Sequence, residues 1–364
     1  DSTPVPFTVD GTQTVVTVVK ENKPQKGRIT IHKTGEVFAS VAEADGLYRP
    51  IYTEQGLAGA VYIVSTAEDI RTPDGTLRYA KGTVVAEITT GKDGTAITQP
   101  LYLGKYQVHE KKAPYGMVLN TTPLFVELTY AGQEISVTDT AVSFYNERQK
   151  AEIRISKCLE ADELFGIGGD IRAVRFGLFA EETLTATDGS FIPAGGLLET
   201  IGFEEDGHAV FTTDVPVDAK LYTQEIAIAA IERDYLEVDG FKVEIATDGR
   251  YILSNKKFPV VFDYVGQDTA VVNLLIHDGE PIVNRLRRGV IRGMKIDRET
   301  GKTIAGAWFG LFREDETVFT GETALLTAVS GDDGVFTFEN VPPETWLIKE
   351  LQPAEGFMPN GEVY

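Results

Sequence analysis

The sequence predicts an all-β chain of tandem β-sandwich modules in series. Three observations carry that prediction. One phrase recurs three times, Asp-Gly turns punctuate short alternating apolar runs, and helical periodicity is almost absent.

The recurring phrase joins an Asn to a Lys eleven positions later. Asn22 leads to Lys33, Asn146 to Lys157 and Asn284 to Lys295, each through a polar, basic linker and a short alternating run. The Asn closes one module and the Lys opens the next. Small-residue and aromatic runs follow each Lys, at 56–64, 171–181 and 304–314, and read as core strands. Asp93-Gly94, Asp206-Gly207 and Asp333-Gly334 come next and mark tight turns. A strand carrying an aromatic then ends at Glu110, Glu225 or Glu350. The resulting division is 1–24 (closing strands), 25–148, 149–286 with an insertion near 226–250, and 287–364 without its last strands. One short helix is expected at 226–236, inside the insertion.

A length of 364 residues suits two to four domains, and 36 Gly with 16 Pro fit folded, turn-rich modules. A net charge of −21 argues against nucleic acid as a partner, since phosphate binding needs a basic face. Cys158 is the sole cysteine, so no intrachain disulfide forms. No apolar run reaches the roughly 18 residues of a membrane span, so no membrane insertion is expected. No His pair has metal-ligand spacing, and no cofactor motif appears. The Asp-Gly clusters read as turns, with calcium as the alternative.

Period-2 alternation decides which face the recurring residues occupy. Lys33 shares a face with Ile29 and Ile31, and Lys157 with Ile153 and Ile155. Glu110 lies with Val108 and Tyr106, Glu350 with Ile348 and Trp346, and Asn146 with Val142 and Phe144. Burial pushes Lys towards the neutral amine and Glu towards the neutral acid. A neutral amine is a nucleophile, and an adjacent Glu can shuttle protons to the ammonia that leaves an Asn amide. The expected product is a Lys–Asn isopeptide bond formed once per fold, with Glu110, Glu225 and Glu350 as catalytic groups. The bland reading is a buried ion pair, or an exposed Lys at a strand end.

These residues resemble the CnaB-type (collagen-adhesin B, prealbumin-like) domains of Gram-positive surface proteins and pilins. YQVHEKKAPYGM (106–117) is similar to the pilin E-box, with Glu110 at its acidic position; WLIKELQPAEGFMP (346–359) is a looser version. KIDRETGKTIAGAWFGLF (295–312) is similar to the family's opening strand. The second module departs from the pattern: Glu244, in FKVEIATDGRY, competes with Glu225, which spacing favours. The resemblance implies an Ig-like, prealbumin-like sandwich fold and an extracellular, cell-wall-attached stalk or pilus. It implies no enzyme activity beyond the single-turnover bond.

Residues 1–22 read as the last strands of a module ending in Asn22, whereas the third module reaches Tyr364 without its Asn. Together the two pieces span the 36 positions that separate Glu110 from Asn146. Two explanations stand. The chain is one unit of an array, or residues 1–22 of one copy complete the 295–364 segment of another, with Asn22 meeting Lys295 and Glu350 in trans. The second predicts that residues 1–22 are paired in a sheet. A rival function is an adhesin that binds a host protein or glycan through 226–250 or the long 34–56 loop.

Overall fold

The structure, a computed structural model, describes residues 3–12, 15–228, 233–238, 241–246, 250–252 and 254–364, with side chains outside 227–249. It is all-β, a series of two-sheet modules. Its helical elements among the described residues are 3-10 turns at Ile171–Ala173 and Ile276–Gly279.

In the first module the strand Lys26–Ala44 is central. The closing strand Val137–Asn146 runs parallel to it on one side. Thr95–Ile97 and Leu101–Tyr102 pair antiparallel on the other. The facing sheet orders Leu124–Leu128, Gly104–Lys112, Val61–Thr66 and Val84–Thr89. Ile29, Ile31, Tyr62, Val64, Tyr106, Val108 and Phe144 fill the space between. The alternation of Lys26–Ala44 is as the sequence predicts: Ile29, Ile31 and Lys33 are buried, and Arg28 and His32 are exposed.

The second module repeats the plan. Lys150–Leu159 pairs antiparallel with His208–Phe211 and parallel with Val271–Leu275 and Ile282–Asn284, a closing strand broken by the 3-10 turn. Its facing sheet orders Leu197–Ile201, Val174–Ala180, Ala219–Ile228 and Phe258–Phe262.

The third module has Gly289–Met294 paired with Val335–Val341, and a facing sheet of Leu326–Val329, Trp308–Arg313 and Trp346–Gln352. Among the described residues no strand covers the other edge of Gly289–Met294. Ile348 N donates to Tyr364 O (2.7 Å) and Tyr364 N to Ile348 O (3.0 Å), repeating the pairing of Leu124 with Val108 in the first module.

Two expectations need correction. The helix expected at 226–236 is strand wherever those residues are described: Ala219–Ile228 runs on to 228 and Arg233–Val238 pairs with Phe241–Ala246, while 229–232 lie outside the described residues. Apolar residues at 226–230 suit either period, and the following β-branched and aromatic residues favour strand. The 34–56 segment is no loop. It is a hairpin of the extended first strand with Leu47–Gly56, turned at Asp45 (φ 54) and Gly46 (φ 76), the left-handed pair of a two-residue hairpin turn. Within the single chain, residues 3–12 and 15–22 form no strand. Val15 and Val19 stand more than three-quarters exposed.

Candidate functional site

The parallel pairing of first and last strands sets the site. Lys33 is opposite Phe144, and Lys157 opposite Ile282. In both modules the closing Asn, 146 or 284, lies two residues beyond that partner. Two residues is one repeat of the pleat, so Lys and Asn emerge on the same face into the same core.

Each Lys is held by its Asp-Gly turn. The amide N–H of Lys33 donates to the Gly94 carbonyl (2.8 Å), Lys157 to Gly207 (2.8 Å) and Lys295 to Gly334 (2.7 Å). The same glycines have φ of 76°, 75° and 71°. A Cβ there would lie 2.3, 2.2 or 2.5 Å from the carbonyl oxygen of the paired Lys. Only Gly fits both constraints. Sequence reading assigned these dipeptides to turns and missed that they seat the lysines.

The Glu arrives from the facing sheet at a β-bulge. Tyr62 pairs with Glu110, Phe176 with Glu225 and Phe309 with Glu350, and the register slips by one residue just beyond each pair. Bulges re-aim side chains, and this one recurs beside the same acid three times. An aromatic opposite each Glu supplies an apolar wall; the Tyr62 hydroxyl lies 3.4 Å from Glu110 Oε1.

Lys33, Glu110 and Asn146 are all buried. Asn146 Nδ2 donates to Glu110 Oε2 (2.7 Å) and to the Val118 carbonyl. Lys33 Nζ lies 3.9 Å from Glu110 Oε1, beyond hydrogen-bond reach. Lys33 Nζ and Asn146 Oδ1 have no hydrogen-bond partner, a costly state for buried polar atoms.

In the second module Asn284 Nδ2 donates to both Glu225 oxygens (2.7 and 2.8 Å) and to the Ile252 carbonyl (3.1 Å). Asn284 Oδ1 is again unpartnered. Lys157 Nζ donates to the Ile282 and Cys158 carbonyls (2.9 Å each). Glu225 is therefore the acid beside Asn284; the side chain of its rival, Glu244, lies outside the described residues.

In the third module Lys295 Nζ and Glu350 Oε1 form an ion pair at 2.9 Å. Asn22, in the first segment, is exposed. A shared detail marks all three sites. The second carboxylate oxygen accepts a backbone N–H, from Asn120 to Glu110 (2.9 Å), Ser254 to Glu225 (2.7 Å) and Asn360 to Glu350 (2.9 Å). The donor is ten residues after the Glu in the first and third modules and 29 in the second. The inserted segment falls between Glu225 and its donor Ser254 in the chain and leaves that hydrogen bond in place.

Desolvation lowers Lys33 and Lys157 to about 8, each partly offset by its Glu. Desolvation raises Glu225, opposed by bonds from Ser254 and Asn284. At pH 7 a pKa of about 8 leaves about a tenth of each Lys as free amine, against roughly 1 in 2,500 for an unshifted lysine. Among the described residues no cluster of three His, Cys, Asp or Glu could hold a metal ion. No helix there is long and apolar enough to cross a membrane.

The SpaA prealbumin-like fold domain matches residues 51–141 and 289–364. No curated protein sequence matches the chain. Among solved structures, the Bacillus anthracis TIE protein is similar at 18% identity and a TM-score of 0.57, over 93% of this chain and 47% of that one. This chain thus spans about half the length of that relative. BcpA, the major pilin subunit of Bacillus cereus, is 15% identical over 93% of this chain and 94% of its own, at a TM-score of 0.35. The full-length major pilin SpaD from Corynebacterium diphtheriae is 17% identical over 93% and 90%, at 0.25. The likeness to the TIE protein shows the fold. The chain is a series of prealbumin-like domains, and the SpaA prealbumin-like fold domain is matched over 51–141 and 289–364.

Proposed function

We propose that the chain is a shaft segment of a Gram-positive surface protein or pilus, stiffened by isopeptide bonds from Lys33 to Asn146 and from Lys157 to Asn284. The observation that carries this is the first site. An amine and an amide oxygen, both buried, lack partners, while a buried Glu holds the amide nitrogen that would leave.

The chemistry needs no cofactor. The neutral Lys Nζ attacks Asn Cγ; its surplus proton passes through the Glu to Nδ2; the Cγ–Nδ2 bond breaks and ammonia departs. Glu110 and Glu225 end as they began, so each module reacts once and the chain is not a turnover enzyme. Lowered Lys pKa values and a raised Glu225 favour the reactive protonation states. The module boundaries we adopt are 25–148, 149–286 and 287–364. The site is extracellular in this reading, on a cell-wall-attached protein.

Lys295 and Glu350 form the amine-and-acid half of a third site beside the uncovered edge of Gly289–Met294. A parallel strand carrying an Asn would complete it. Residues 15–22 of another copy or of an adjacent repeat are our candidate, bringing Asn22. Host-ligand binding through 34–56 finds less support, because that hairpin is docked within the chain.

The test is the intact mass of the denatured chain. Loss of two ammonia molecules supports the two complete sites, and a third loss or covalent multimers support Lys295 with Asn22. A mass equal to that of the sequence sinks the crosslink reading.

A further inference from the structure

We infer that the segments following Lys33 and Lys157 are struts that each dock on the next module and hold successive modules as one rigid body. This goes beyond the crosslinks and does not depend on them.

Beyond Gly35, where its pairing with the closing strand ends, the first strand runs on as one arm of a hairpin. From Thr34 to Ala44 its antiparallel partner is Leu47–Gly56, and the hairpin reaches the second module. Phe38, Val41 and Tyr48 pack against that module's main core, and Leu47 against Phe179, Leu197 and Tyr222. Backbone bonds cross from Thr187 N to Phe38 O (3.0 Å) and from Asp188 N to Ala39 O (3.1 Å). Val41 N donates to Ser190 Oγ (2.9 Å). A Cβ on Gly196 would lie 3.1 Å from the Tyr48 ring, so glycine there admits the hairpin.

The linker is clamped as well. Arg148 is 6% exposed, stacks 3.7 Å over the Tyr52 ring and pairs with Glu36 of the hairpin and Asp214 of the second module. Gln149 is fully buried; its Nε2 donates to Gly266 O (3.0 Å) and Thr269 O (2.7 Å), and its Oε1 accepts from Val265 N (3.0 Å). From the same stretch, Gln267 accepts from Ala113 N (2.9 Å) through its side chain and from Leu119 N (2.8 Å) through its carbonyl. A joint restrained on two sides has no hinge residue left to absorb a change in φ and ψ.

The second joint uses the same device in shorter form. The segment after Lys157 carries Phe165, 4% exposed and edge-on to Trp346 of the third module at 5.1 Å. Arg313 of the third module donates to Leu164 O (3.2 Å). Arg288 in the linker bridges Glu160 (2.9 Å) and Asp162 (2.6 Å). The strut is thus a long hairpin at one joint and a short loop at the other, in both cases rooted just beyond the lysine.

Spin labels on Lys81→Cys and native Cys158, both exposed, report the first joint through their distance distribution. One narrow distribution is expected for the full chain. Replacing residues 39–52 by an Asn-Gly turn should broaden it at least twofold. The paired substitution Phe38→Ala with Tyr48→Ala, a milder change that keeps the backbone, should broaden it as well. Intact mass on the same samples reads the crosslinks separately. A full chain that is already broad, or variants as narrow as the full chain, would overturn the inference.

Discussion

Glu110→Gln tests the chemistry of the first site with little change in shape. The side chain keeps its volume and can still accept from Asn146 Nδ2, whose bond to Glu110 is 2.7 Å. It cannot take up and return a proton, so the Lys33–Asn146 bond should not form. That bond would close a loop of roughly 114 residues, which in the chain-entropy account contributes about 5 kcal/mol. Losing a charge partner for buried Lys33 costs about 1–3 kcal/mol more. For a module of this size the crosslink share alone corresponds to a fall in Tm of roughly 15–25 °C. Calorimetry should show the first module melting lower by that amount with the second unmoved. Intact mass should show one ammonia retained relative to the parent chain. If Glu110→Gln still loses both ammonia molecules, the proton-relay role is wrong. If the mass changes but the Tm does not, the loop-closure reasoning is wrong.

Asn284→Ala should retain one ammonia and destabilise the second module, leaving the first module's bond intact by tryptic mapping. Gly207→Ala would place a Cβ 2.2 Å from the Lys157 carbonyl at a positive φ, so strain on the order of 1–3 kcal/mol and slower closure of the second crosslink are expected by timed mass spectrometry. In Asn146→Ala, which keeps Lys33 free, the folded-state pKa of about 8 lies below the unfolded value of 10.5. The unfolded state then binds the extra proton between those values, so urea midpoints should rise from about pH 8 to about 10.5 and be flat below. A midpoint that falls across that window would refute buried, unpaired Lys33.

The faces of the site were legible because strand alternation is a strict period. Ile29, Ile31 and Lys33 could be placed together from sequence alone, and the buried Glu110 and Asn146 follow the same rule. The bulge that turns Glu110 was not legible, since an unpaired residue such as Lys111 leaves no mark in composition. Nor was the contact of Gly94 with the Lys33 carbonyl, which joins residues 61 positions apart. The 34–56 hairpin was misread as a loop. Phe38, Val41 and Tyr48 are covered by another module, so the strand lacks the clean inside–outside alternation of a half-solvated one. Its turn signal, Ala-Asp-Gly at 44–46, was present in the sequence.

The parallel register of first and last strands has a mechanical consequence. Tension applied at the two ends of a module pulls Lys26–Ala44 and Val137–Asn146 in opposite directions along their length. Their ladder is then loaded in shear, with many hydrogen bonds resisting together rather than parting one after another. With the proposed bond in place, load passes from Lys33 straight to Asn146, and everything folded between them carries none. The stretch still under load from there to Lys157 is the one where Arg148 and Gln149 are buried. The chain would therefore extend first at its joints, and those are the places this sequence has pinned.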